Sequence, residues 1–413
     1  MDVLVRNGNI VGRGVADIAI DGGTITAVGR LSAPGPATEV IEAEGKLITP
    51  TFVDPHVHLD KALISEILPE NKSGTLAEAI ALIWEKKRSY TKTDIKTRAS
   101  RVIEWAIANG TTIMRTHVDV DTIGGLLPME ALLEVRNRYA GVFDLQVVAF
   151  PQEGILQDPG TGDLMEEAMR MGADVLGGMP YNERTEEDQK RHIDMVFDLA
   201  LKYDADIDMH VDETDDPAAR TLQYLAARTI DAGYQGRVTA GHTCALAAYD
   251  DPYASRVIDL VKKAGINMIT NPATNLMLQG RFDKQPIRRG ITRVKELIAA
   301  GVNVSFGQDC LKDTFYPTFG RADMLEVGLI TAHAAQFSTP REIDYLMTML
   351  TENAAGLMKI LEYGIAVGNP AHLNILDCAS VPEAFRIQPD RTVMRGGRII
   401  ATTTTRTTLR LQS

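Results

Sequence analysis

The chain has 413 residues, 45% of them apolar, and 43 Lys and Arg against 55 Asp and Glu leave a net charge of −12. That length and apolar content suit one large barrel or two ordinary domains and exclude a disordered chain, while the acidic balance and the lack of a dense basic run disfavour nucleic acid and favour a small neutral substrate. Cys244, Cys310 and Cys378 lie far apart with no CxxC, no run of about 18 apolar residues occurs, and the start lacks a signal-peptide pattern, so a reducing, cytoplasmic location without a membrane partner is expected.

Residues 1–50 hold short β-branched segments, "VADIAI", "TITAVG" and "GKLITP", punctuated by Gly, Asn and Pro. This is the pattern of a small antiparallel β-unit. The apolar run "TFVDPHVH" follows. "TLAEAIALIWEKKR" then reads as a helix opened by a Thr75, Glu78 capping box, and "TDIKTRASRVIEWAIANG" as a second helix that stops at Gly110. Beyond it come the runs "TTIMRTHVDV", "FDLQVVAFPQ", "ADVLGGMP", "ADIDMHVDE", "RVTAGHT", "INMITNP" and "VNVSFGQD". Helical segments such as "LMEEAMRMG", "RHIDMVFDLALKYD", "AARTLQYLAARTIDAG", "YASRVIDLVKKAG" and "TRVKELIAAG" separate them, nearly all ending in Gly. Eight such alternations predict an α/β fold, a (β/α)8 TIM barrel over residues 51–365. The closing stretches "GNPAHLNILD" and "RTVMRGGRIIATTT" again read as strands, so residues 1–50 and 366–413 are expected to combine into a small β-sandwich bracketing the barrel.

Barrel enzymes take their catalytic groups from the C-terminal ends of the strands. Polar residues fall there: His56 and His58, His117, Gln152, His210, His242 and Asp309. Side chains two apart on a strand share a face. His56 and His58 can therefore reach one ion, to which His210 adds an imidazole and Asp309 a carboxylate. A lone HxH is more often a pair of ordinary imidazoles; its conjunction with His210, His242 and Asp309 makes a site for one divalent metal, Fe(II) or Zn(II), that activates water. Glu213 in "HVDET" is the candidate proton carrier, and His242 is placed to orient the nucleophile or stabilise an oxyanion. Asp212, Asp215 and Asp216 read as a solvated turn and helix cap. His117 and Asp119 could line the barrel floor or support the metal site. His192, His333 and His372 read as surface or packing residues, and Lys61 as a solvated lysine.

The stretches "FVDPHVHLDKA", "SGTL", "IANGTTIMRTHVDV", "LQVVAFPQEGIL", "KYDADIDMHVDE", "GRVTAGHT", "LQGRF", "RRGITRVKELIAAGVNVSFGQD" and "YGIAVGNPAHLNIL" span nearly the whole chain. In them the chain resembles the cytosine deaminase branch of the amidohydrolase superfamily. The resemblance implies a barrel inserted into a terminal β-sandwich, a homo-oligomer, and one iron or zinc ion used to deaminate a free pyrimidine base. Matched by motif, His56, His58, His210 and Asp309 are the implied metal ligands, Glu213 the proton shuttle and His242 the residue beside the hydroxide. Gln152 is the amide that pairs with the lactam edge of the ring, and Phe150, Leu76 and Phe315 are expected to line the substrate. Where the family commonly shows "HDD", this chain has Gln308, Asp309 and Cys310. Cys310 replaces a hydrated acid by a small soft group, which is expected to admit a methyl at C5 and hence 5-methylcytosine. Isocytosine, creatinine and N-alkylamino triazines stay open as alternative substrates, and an inactive assembly subunit is disfavoured by the complete ligand set. The PCxxC motif of the other deaminase class is absent.

Overall fold

The computed structural model describes residues 1–32, 35, 38–315 and 319–410, with the side chain of Leu76 outside the described set. Five strands come first: β1 (Val3–Ile10), β2 (Gly14–Asp21), β3 (Thr24–Gly29), β4 (Glu39–Glu42) and β5 (Leu47–Pro50). The eight apolar runs become β6 (Phe52–Val57), β7 (Thr111–Asp119), β8 (Asp144–Phe150), β9 (Val175–Gly178), β10 (Asp206–Val211), β11 (Val238–His242), β12 (Asn267–Thr270) and β13 (Val304–Phe306). β14 (Leu373–Leu376), β15 (Arg391–Arg395) and β16 (Arg398–Thr402) end the chain. The strands form two eight-stranded sheets. One runs β6 through β13 in sequence order, every neighbour parallel. With helices between the strands this is a (β/α)8 barrel. The other joins the two ends of the chain, because β14 pairs antiparallel with β5.

That terminal sheet is not purely antiparallel. β4 and β5 both run parallel to β1, β4 against Val3–Arg6 and β5 against Asn9–Ile10. They behave as one strand broken by the Ala43–Lys46 turn, opposite the bulge where Asn7 takes a φ of 52°. Turn-rich composition cannot reveal such a register, since it is set by the bulge.

The helices cover the barrel through apolar stripes. In α1 (Leu76–Lys87) Thr75 accepts from the Glu78 amide, but the Glu78 carboxylate turns to the amides of Lys72 and Ser73, so the reciprocal half of the expected capping box goes to the preceding loop. α2 (Lys92–Ala108) buries Ile95, Ala99, Val102, Ile103 and Ala106, roughly 1.5–3 kcal/mol for each of the larger side chains. The chain turns at Gly110 with φ 84°, where a Cβ would meet the Asn374 amide at 2.8 Å. α3 (Leu127–Tyr139), α4 (Thr161–Met171), α5 (Glu186–Tyr203), α6 (Thr221–Asp231) and α7 (Asp251–Lys263) continue the layer, and the short α8 (Pro272–Leu278) follows β12 directly. Among the described residues no helix is long and apolar enough to cross a membrane.

The barrel closes between its first and last strands. The Asp309 amide donates to the His56 carbonyl at 2.7 Å and the His58 amide to the Asp309 carbonyl at 3.1 Å. The Asp54 carboxylate adds two bonds, from the amides of Gln308 and His56. This seam is tight: a Cβ on Gly307 would lie 2.6 Å from the His56 Cβ and 2.8 Å from the His56 carbonyl oxygen. Gly307→Ala is therefore expected to destabilise the fold by about 1–3 kcal/mol, the cost of overpacking a close-packed interior. Chemical denaturation measures it, with Gly356→Ala, where an added Cβ meets nothing within 4 Å, as the control expected to be neutral or stabilising.

Candidate active site

The site is built from the barrel interior outward. On β7, Arg115 donates through Nη1 to Asp208 at 2.7 Å and through Nε and Nη2 to Gln146 at 3.0 and 2.9 Å. The other Asp208 oxygen is 3.4 Å from His117 Nε2. The His117 ring tilts against His56 with centroids 4.1 Å apart. Burial, reinforced by His56, pushes the His117 pKa down to about 4 despite Asp208. His117 is thus a neutral floor residue beneath His56 and lies outside the cluster described next.

His56, His58, His210 and Asp309 come from β6, β10 and the end of β13, and their donor atoms all lie within 4.8 Å of one another. His210 sits two residues beyond Asp208 on β10, so both face inward. His58 Nδ1–H donates to the His117 carbonyl at 3.2 Å, which leaves the Nε2 lone pair free. That Nε2 faces His210 Nε2 at 3.0 Å, and Asp309 Oδ1 is 3.4 Å from His58 Nε2 and 3.5 Å from His56 Nε2. Both ring nitrogens of His56, Nδ1 of His210 and Oδ2 of Asp309 are buried without a partner. Burial, helped by the neighbouring imidazoles, lowers the pKa of His58 and His210 well below the usual range. Burial opposes ionisation of Asp309, but His242 and His56 hold its pKa at about 2. Three converging imidazoles, two of them held neutral, and an ionised carboxylate fit a divalent cation.

Beside this cluster, Glu213, His242 and Asp309 again bring ligand atoms within 4.8 Å of one another. Glu213 Oε1 is 3.2 Å from His242 Nδ1 and accepts from Asn275 Nδ2 at 3.2 Å. Asn271 and Asn275, at the end of β12 and in α8, reach the two nitrogens of His242 at 3.1 and 3.0 Å. Burial opposes the charging of His242, but Glu213 and Asp309 outweigh it and raise the metal-free pKa to about 9; a cation in the adjoining cluster acts against that charge. The two asparagines were not singled out in the sequence, although "INMITNP" carries Asn271 just past the seventh strand. Asp212 is buried rather than solvated: its carboxylate caps α6 by accepting from the amides of Thr221 and Leu222 at 3.1 and 3.0 Å. Asp216 is the exposed turn residue expected, and Asp215 ties the Gly280 amide at 2.6 Å.

Phe150 and Gln152 end β8. The Phe150 ring stacks on His210 with centroids 4.2 Å apart. Gln152 is 5% exposed and accepts from Lys61 at 3.3 Å. Lys61 is the clearest departure from the sequence reading. It is 1% exposed and ion-paired with Asp119. Asp119 also meets Lys87 at 2.7 Å, and Lys87 reaches Asp121 at 2.6 Å and Glu153 at 2.7 Å. No local pattern marks these lysines as buried, because their carboxylate partners lie 32 to 66 residues away. His192, expected as surface or packing, is buried against Glu183 at 2.8 Å, and Glu183 also holds the Ile155, Leu156 and Gln157 amides beyond Gln152. Cys310 and Phe315 join Ile64, Ala79, Ile80, Ile83 and Ala273 in one apolar cluster next to Asp309. The Leu76 side chain, expected to line the substrate, lies outside the described residues.

A closed parallel barrel with this donor set at its strand ends defines a metal-dependent amidohydrolase. The amidohydrolase family model matches residues 39–401, and the chain belongs to that family. It is 31% identical over 97% of both chains to the N-isopropylammelide isopropyl amidohydrolase of Pseudomonas sp. strain ADP. To the pterin deaminase of Rhizobium rhizogenes it is 33% identical over 93% of this chain and 87% of that one. Among solved structures it is similar to the 5-methylcytosine deaminase of Klebsiella pneumoniae with bound 5-fluorocytosine, at 37% identity, a TM-score of 0.93 and 99% coverage of both chains. The protein is a hydrolase of carbon–nitrogen bonds of the deaminase type. Loss of one donor from the four-residue cluster is expected to empty it: His210→Ala and Asp309→Ala should lose most of their bound divalent metal by elemental analysis, while the exposed His333→Ala should keep it.

Proposed function

We propose that the protein deaminates a free aminopyrimidine, 5-methylcytosine or cytosine, to the corresponding oxo base and ammonia. The observation that carries this reading is the Glu213 carboxylate, buried beside His242 and within 4.8 Å of the Asp309 oxygens. A divalent ion held by His56, His58, His210 and Asp309 would supply the Lewis acidity that makes water a nucleophile near neutral pH. Glu213 carries one proton from the attacking water to the ring nitrogen, and then the second, from the newly formed hydroxyl, to the departing amine. Asn275, donating to Glu213 at 3.2 Å, keeps that carboxylate oriented. His242, fixed by two asparagines, directs the attacking oxygen at the amino-bearing carbon. Gln152 pairs with the lactam edge. The carbon–oxygen bond forms, the carbon–nitrogen bond breaks, and nitrogen leaves as ammonia.

The similarity to the 5-methylcytosine deaminase supports the pyrimidine ring. The apolar cluster around Cys310 supports tolerance of a C5 methyl. Transfer of one methyl accounts for only about 0.8 kcal/mol, so a large preference also needs the absence of a carboxylate that the methyl would desolvate. The same cluster favours a second reading, hydrolysis of an N-alkylamino triazine, because partly buried Leu68, Trp84 and Met277 extend it beyond one methyl and the ammelide hydrolase is a full-length relative.

Ammonia release by Fe(II)- and Zn(II)-loaded protein from cytosine, 5-methylcytosine, isocytosine, creatinine and pterin, with alkylamine release from N-isopropylammelide, decides between these rings. Turnover of either cytosine is expected; alkylamine release alone would overturn deamination. Glu213→Gln should lower kcat by roughly 10²–10⁴ with metal content unchanged. Cys310→Asp should shift the ratio of kcat/KM values from 5-methylcytosine towards cytosine, and an unchanged ratio would remove Cys310 from the specificity argument.

A further inference from the structure

Lys61 has a role that the reaction outlined above leaves unassigned. Its ammonium is 1% exposed, ion-paired with Asp119 and 3.3 Å from Gln152 Oε1. An ammonium carries three N–H donors and no acceptor. Asp119 and Gln152 use two, and the third meets no acceptor among the described residues. Lys87 contacts the same carboxylate at 2.7 Å but is shared with Asp121 and Glu153, so Lys61 balances charge there while still leaving one donor unspent. The ammonium also lies 5.7 Å from the centre of the Phe150 ring, which itself packs against the His210, His58 and His117 imidazoles. The free donor is thus one aromatic ring away from the four-residue cluster.

The contact with Gln152 fixes the amide as well. Since an ammonium can only donate, Oε1 must face Lys61, and Nε2 is left as the donor end. Its one protein contact is the weakly accepting Met179 sulfur at 3.1 Å. Lys61 and Gln152 together therefore present N–H groups with nothing strong to receive them. Such an edge recognises an oxygen acceptor. In an amino-oxo heterocycle, electron density moves onto the ring nitrogens and the oxo oxygen as water adds to the amino-bearing carbon, and a fixed buried cation stabilises that charge.

The geometry points to Lys61 as a substrate-binding, specificity-determining residue: with the Gln152 amide it holds the oxo oxygen of an amino-oxo heterocycle. This rests on the deamination reading above and adds the chemical class of ring. Asp119, Lys87, Asp121 and Glu153 are positioning residues behind it, tying the loop after β6 to the loop after β8.

The test uses metal-loaded protein in four forms: unmodified, Lys61→Met, Lys61→Arg, and Lys61→Met with Asp119→Asn, which removes opposite charges together. Two quantities are read: kcat/KM for cytosine and for 2-thiocytosine, whose sulfur is a weak acceptor, and the calorimetric Kd for thymine. In Lys61→Met and the double variant, kcat/KM for cytosine is expected to fall on the order of 100-fold, the size of a lost charge-assisted hydrogen bond. The oxo-over-thio preference should collapse and thymine binding weaken, with metal content and Tm of the double variant unchanged. Lys61→Arg, which keeps the charge, should retain the preference. An unchanged oxo-over-thio ratio together with unchanged thymine Kd would overturn the proposal, as would failure of the unmodified protein to bind any oxo ring. Thymine binding that depends on Lys61, in a protein that releases no ammonia from any ring, would support the proposal and overturn the deamination reading alone.

Discussion

One short backbone exchange holds the structure together. Asp309 bonds through its amide to His56 and through its carbonyl to His58, and so sews the last barrel strand to the first. Its side chain meanwhile points into the cluster formed by those same two histidines and His210. Barrel closure and assembly of the four-residue cluster are therefore one event. The geometry carries strain: Asp309 has a φ of 62°, and His242, Thr243 and Asp212 at neighbouring strand ends have 66°, 49° and 47°. Left-handed backbone at a non-glycine residue costs on the order of 1–3 kcal/mol and persists where the surroundings over-determine it. Here the Asp54 carboxylate, accepting from the amides of Gln308 and His56, and the close approach that Gly307 permits supply that determination.

The same closure sorts the charges. His58 and His210 are held neutral because burial and the neighbouring imidazoles disfavour their protonation, whereas His242, on the Glu213 side of Asp309, is pushed the other way. The buried full cations are kept apart from them and paired: Arg115 with Asp208 below, and Lys61 and Lys87 with Asp119, Asp121 and Glu153 to one side. A buried ion loses several kcal/mol of hydration, which only close partners offset. Each cation accordingly carries at least one carboxylate in direct contact. The dense ionic packing fixes rigid donors around the cluster without placing a positive charge in it.

Much of this was legible in the sequence, and the limits have physical causes. Strand period and the strand-end rule are local, so His56, His58, His210, His242 and Asp309 could be placed at one end of the barrel from spacing alone, and the structure brings them together. The (β/α)8 order followed from alternating apolar runs for the same reason. Burial of a charge is not local. Lys61 is 58 residues from Asp119, and Lys87 is 66 from Glu153, so Lys61 reads as a solvated lysine, and nothing singles out Lys87, until the loops after β6 and β8 meet. Asp212 looked like a solvated turn because the helix it caps begins nine residues later. The parallel pairing of β4 and β5 with β1 depends on a bulge at Asn7 that composition does not encode.

Under the proposed function, substrate choice would be divided around the barrel. The apolar cluster with Cys310 and Phe315 follows β13, whereas Gln152, backed by Lys61, follows β8, three strands away across the seam through β6 and β7. One side offers mainly dispersion, with the Asp313 carboxylate against the Cys310 thiol; the other offers N–H donors. A flat ring that fills both must carry its alkyl group and its oxygen on different edges, with the amino carbon turned towards Glu213. The pyrimidine and the triazine satisfy this equally in outline, and they differ in the bulk placed against the apolar cluster. Because no hydrogen bond or ion pair among the described residues links Gln152 or Lys61 to Cys310 or Phe315, the contributions of the two edges to selectivity would add. On that proposal the apolar side would grade substrates by size, while the lysine side would decide whether a ring without an oxygen is accepted at all.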